Sequence, residues 1–256
     1  MNGEVGLACR LTAAARNAIK TGEFKFVKNP YENSISFVFC ARKTAMGEIP
    51  EYIAKTPEEW YKKLKDDGVT DVFMMMPYVV KDRNRLGFVN TSGCTIFVKL
   101  KNGHVSRFLP QWIADNANRC WNIVIHEDLM NEVPAELPTF KDNSEQFKAV
   151  LENITKFAVH IGSRDFAQYF KMGADVLSGG DMPEAMDKEA APKLSEHNMR
   201  MYLAADISDV FGAMGSWNDD PAGKAAEMGL SEDYEKLSAA LLAQNRLALM
   251  YAVNED

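Results

Sequence analysis

The chain has 256 residues and a formal net charge of −7, with 46% hydrophobic and 25% charged residues. These are globular proportions, and they exclude a disordered chain, a collagen-like repeat and a small disulfide scaffold. A sequence isoelectric point near 5.3 argues against a nucleic-acid surface, which needs a dense field of cations facing phosphates.

No apolar run reaches the about 18–20 residues of a membrane span. Leu7 to Ile19 is interrupted by Arg10, Thr12, Arg16 and Asn17, so it does not read as an export signal. Cys9, Cys40, Cys94 and Cys120 lie too far apart in sequence for close zinc-ligand pairs. Free thiols are the simplest reading, and they place the chain in a reducing cytosol, with no membrane and no nucleic acid as partners.

Residues 7–21 carry Leu7, Leu11, Ala14, Ala15, Ala18 and Ile19 near the helical period, with Gly22 as the stop. Ser34 to Ala41 is rich in β-branched and aromatic residues and reads as a strand. Thr56-Pro57-Glu58-Glu59 predicts a helix start with a capping box, followed by buried Trp60, Tyr61 and Leu64 and a stop at Gly68. Thr70 to Val80 contains the continuous apolar run Val72 to Met76, the pattern of a central strand covered on both faces.

Residues 94–109 predict a hairpin about Asn102-Gly103, the preferred dipeptide of a two-residue type I′ turn. That turn sets Lys101 opposite His104, Leu100 opposite Val105 and Val98 opposite Arg107, which puts Arg107 on an otherwise apolar face. Arg119 to His126 reads as a further strand. Beyond residue 142 the period is helical throughout, over 144–161, 164–177, 195–214 and 232–252. Asn143 with Gln146 offers a capping box to the first of these helices. The expected fold is therefore α+β. A mixed or antiparallel sheet with flanking helices occupies residues 1–141, and an all-helical half of about four helices occupies 142–256. That second half forms either a separate domain or helices laid against the sheet.

Charge divides the same way. Residues 1–141 hold 19 Lys+Arg against 16 Asp+Glu, a balance of +3. Residues 142–256 hold 10 against 20, a balance of −10, and the two sum to −7. Lys81, Arg83 and Arg85 form a short basic loop. Such an asymmetry serves solubility, or it pairs the basic loop with the acidic half, within one chain or between copies.

Candidate chemistry is sparse. His126 and Asp128 end a strand on one side of it, the arrangement of an acid–base pair or of two metal ligands, although Met130 stands where a HExxH motif needs its second His. Cys94 becomes a nucleophile only if His104 or His126 approaches it. Trp217, Asn218, Asp219 and Asp220 share a loop that could stack on a small molecule or offer oxygens to a hard cation. The same residues equally read as a helix stop at Gly215 and a cap before Pro221. Ser178-Gly179-Gly180-Asp181 follows a helix, whereas a phosphate cradle precedes one. The sequence names no cofactor. Its leading functional reading is a protein that binds a protein partner or itself without catalysis. The rivals are a hydrolase or transferase built on His126, Asp128 and Cys94, and a small-molecule or metal binder built on residues 217–220.

Overall fold

A computed structural model describes residues 1–44, 47–130, 138–182 and 191–256. In chain order the elements are α1 (Gly3–Thr21), β1 (Glu32–Thr44), β2 (Gly47–Ala54), α2 (Pro57–Asp66), β3 (Val69–Met75), a 3-10 turn (Arg83–Gly87), β4 (Thr95–Leu100), β5 (Val105–Asp115), β6 (Cys120–Leu129), α3 (Ser144–His160), α4 (Arg164–Leu177), α5 (Glu196–Ser208), α6 (Asp220–Glu227) and α7 (Ser231–Asn254). The class is α+β. Six strands form one mixed sheet in the order β2-β1-β6-β5-β4-β3, with β1 and β6 parallel and every other neighbour antiparallel. No strand lies beyond residue 130 among the described residues.

Strand alternation gives the sheet two unlike faces. Phe37, Val72, Met74, Ile96, Val98, Phe108, Ile123 and Ile125 point inward and are buried. On this face α2 covers β1 and β2, and the Trp60 ring stacks on Phe37 at 4.8 Å. Thr56 caps α2 by accepting from the Glu59 backbone, while the Glu59 carboxylate accepts from Lys55. The predicted capping box is thus displaced by one residue. Over β3 and β4 lies α1, buried along most of its length, with α7 packed on its other side. Behind it α3, α4, α5 and α7 close a ring of four helices in which each touches the next. One continuous hydrophobic core runs from the sheet through α1 into this ring. The opposite sheet face carries Phe97, Arg107, Leu109, Ile113, His126 and Asp128.

Four further expectations change. The hairpin loop is Lys101–Gly103, with Leu100 N–H donating to the His104 carbonyl and Gly103 N–H to that of Leu100. Gly103 alone takes positive φ, +84°, where a type I′ turn would need Asn102 there as well. This is a type I turn closed by a left-handed residue, and it slips the pairing by one. Phe97 faces Arg107 and Val98 faces Ser106. Arg107 therefore lies on the outer face, with its guanidinium 2.5 Å from the Asp128 carboxylate.

The run Val69–Met75 is an edge strand, not a central one. Its apolar residues are buried because α1 and α7 cover one face and Phe97 stacks on Phe73 at 5.0 Å on the other. Its free edge is closed by a side chain. Asn254 of α7 accepts from Met74 N–H at 2.9 Å and donates to the Met74 carbonyl at 2.8 Å, as a neighbouring strand would. Finally, Asn143 does not cap α3: its amide reaches Gln244 on α7. The predicted helix 195–214 stops at Ser208, and residues 209–219 form a loop.

Candidate binding surface

The longest described connection inside the sheet runs from Met76 to Cys94, between antiparallel neighbours that a short turn could have joined. Long loops in compact domains are commonly functional. This one is held from below by buried charge. Glu4, in the first turn of α1 and 4% exposed, accepts from the backbones of Asn90 and Ser92. Arg246 of α7 donates to the carbonyls of Pro77 and Ser92, which ties the two ends of the loop together. Burial lowers the Arg246 pKa and Asp209 opposes that shift.

The loop is also pinned at its sides. Asn90 sits at φ +61°, a region few non-glycine residues adopt, and its side chain accepts from Trp112 N–H at 2.7 Å and donates to the Trp112 carbonyl at 3.1 Å. It completes the stretch of β5 that β4 is too short to pair. Arg83 bonds Glu235 of α7 at 2.7 Å, and its carbonyl accepts from Asn218. At Gly87 a Cβ would stand 2.6 Å from the Ala213 backbone nitrogen, so only glycine lets the two loops touch there.

Although its backbone is locked, the loop shows apolar side chains to solvent. Val79 is 74% exposed and Phe88 66%, with Tyr78 and Val89 also exposed beside them. Across the Gly87–Ala213 contact, Met214 is 95% exposed. Met75, Met76, Pro77, Val79, Gly93 and Phe97 line an open groove of about 460 Å³ on its flank. Lys81 and Arg85 are exposed and form no ion pair among the described residues.

The residues singled out from the sequence fall elsewhere. His126 is exposed on the open outer sheet face, while the Asp128 carboxylate two residues on is engaged by Arg107 Nε at 2.6 Å. Cys94 lies in the core, on the inner side of the sheet from His126, and its thiol is pushed up to about 12 by burial. A nucleophilic thiol needs the opposite shift. No protein family, curated protein or solved structure matches this chain.

Trp217 is fully buried, ringed by Phe166, Phe170 and Tyr234, and its indole N–H donates to Ser238 at 2.8 Å. Asn218 reaches Arg83, the Asp219 carboxylate accepts from Gly215 N–H, and Asp220 pairs with Lys224 at 2.6 Å. Each of these four residues thus has a partner within the protein, although Asp219 and Asp220 stay exposed. Among the described residues no three His, Cys, Asp or Glu side chains converge as a metal site requires.

The exposed residues of the 76–94 loop are hidden in the sequence because Thr70 to Val80 reads as one strand that takes in Tyr78 and Val79. Pro77 is the signal that separates them, since proline interrupts a central strand. Beyond it the dipeptides Tyr78-Val79 and Phe88-Val89 flank a polar stretch without matching either a helical or a strand period.

Proposed function

We propose that the protein works by binding another polypeptide on the surface formed by residues 76–94 and the adjoining tip at Met214, and not by catalysis at His126, Asp128 or Cys94. The observation that carries this reading is the combination of a fixed backbone with exposed aromatic and aliphatic side chains. Ordering a loop costs conformational entropy, and buried Glu4, Arg83 and Arg246 supply the interactions that offset it. A loop held this way presents one preorganised apolar surface, which lowers the entropy lost on association. Exposed apolar groups clustered on adjoining loops mark interaction sites more than single exposed residues do.

A photoreactive amino acid placed at Val79 or Phe88 tests the reading. It gives discrete cross-linked adducts in cells, while the same group at Tyr31, an exposed aromatic outside this surface, gives few. Equal labelling at all three positions, or none at the loop, removes the proposal.

A further inference from the structure

The partner of this surface follows from where the molecule keeps its complementary groups. At the far end of α4 an open cavity of about 600 Å³ is lined by Met172, Asp175, Val176, Ser178, Gly180 and Asp181. It combines apolar walls with two carboxylates. Lys171 pairs with Asp175 at 2.5 Å, and Arg200 donates to the Val176 and Gly180 carbonyls and to Glu196. Asp181 is exposed and has no ion pair among the described residues. The 76–94 loop offers exposed Val79 and Phe88 with two cations unpaired among the described residues, Lys81 and Arg85, against one exposed carboxylate, Asp82, which accepts from the Asn84 N–H.

The two surfaces cannot meet within one molecule. The first turn of α4 packs Phe166 on Trp217, and the next residue, Asn218, holds the Arg83 carbonyl, so the start of α4 lies beside the loop. The cavity is lined from Met172 through Asp181, about 9–18 Å further along the helix axis from Phe166. An apolar surface with Lys81 and Arg85 at one end and an apolar-walled cavity with Asp181 at the other, all three unpaired among the described residues, can engage only between copies.

We infer that the chain associates head to tail with itself, the 76–94 loop of one copy seating in the cavity at the C-terminal end of α4 of the next. This rests on the interaction reading above and names its partner. Such a contact is heterologous, so repetition closes a ring or extends a chain of copies. The charge pairs lie at the rim, where they set orientation and salt sensitivity, while burial of Val79 and Phe88 carries the affinity.

Sedimentation of the purified full chain over a rising concentration series tests the inference. The average mass rises with concentration and falls with added salt. The double variant Lys81→Glu/Arg85→Glu weakens association about tenfold or more, and so does Asp175→Lys/Asp181→Lys. Mixing the two variants restores it, because each reversed surface then meets its complement, and no misfolded variant could take part in that rescue. A chain that stays monomeric throughout overturns the inference, as do variants that associate like the parent or a mixture that recovers nothing. If the pure chain is monomeric while Val79 still cross-links to a different protein, self-association falls and the interaction reading stands. If it associates through another surface and the loop cross-links to nothing, both fall.

Discussion

Two loops meet at one end of this molecule, residues 76–94 and residues 209–219, and apart from exposed Met214 at the tip of the second they treat their large apolar side chains in opposite ways. The second buries both of its aromatics, Phe211 and Trp217, and engages its polar groups within the chain, Trp217 on Ser238, Asn218 on the Arg83 carbonyl and Asp219 on the Gly215 N–H. The first is fastened just as firmly to α1 and α7, yet leaves Tyr78, Val79, Phe88 and Val89 in water. Polar residues gathered in a loop are therefore a poor sign of a binding site when each has a partner in its own chain. Apolar side chains left out of a core that had the means to cover them are a better one.

The largest effect expected from breaking this contrast is at Trp217. Trp217→Ala opens a cavity among Phe166, Phe170 and Tyr234 and strands the Ser238 hydroxyl, costing about 3–5 kcal/mol in a denaturant titration. At the joint between the loops, Gly87→Val drives a side chain against the Ala213 backbone and costs about 2–3 kcal/mol by the same measurement. Asn90→Ala removes both bonds to Trp112 and puts a less suitable residue at positive φ, and should cost about 1–3 kcal/mol.

Cys94, where the 76–94 loop rejoins the sheet, gives a chemical reading of the same rigidity. Its raised pKa and burial predict that a disulfide reagent leaves it untouched in the native protein and modifies it only on unfolding, while half-exposed Cys120 reacts first. Peptide mapping after labelling distinguishes the two. The smallest stability effect is expected at the exposed residues themselves. Val79→Ser with Phe88→Ser leaves the unfolding free energy within about 0.5 kcal/mol of the parent and abolishes the loop-dependent association. A large loss of stability instead would mean that these side chains belong to the fold.

Local chemistry made most of the elements legible. Thr56-Pro57 marks a helix start, Gly22 and Gly162 take the positive φ of helix stops, and α3 and α4 follow their apolar stripes closely. The errors arose where distant residues decide the outcome. Val69–Met75 reads as a central strand because its outer neighbour is supplied by Asn254, far away in sequence. Asn143 reads as a cap because its real partner, Gln244, lies on α7. Asn102-Gly103 marks the reversal correctly, but the choice between a two- and a three-residue loop, and with it the face on which Arg107 stands, depends on pairing across the whole sheet. The binding surface was the least legible part. Exposure of Val79 or Phe88 is visible only once it is known which apolar residues the core has taken.

Native-state hydrogen exchange at the Asn90 and Ser92 amides tests the central claim most directly, since both N–H groups bond to buried Glu4. A preorganised surface predicts that they exchange as slowly as the buried amides of α7 around Leu249, through global unfolding alone. Exchange at the rate of a freely opening loop would show that Val79 and Phe88 are not held in place, and would contradict the account.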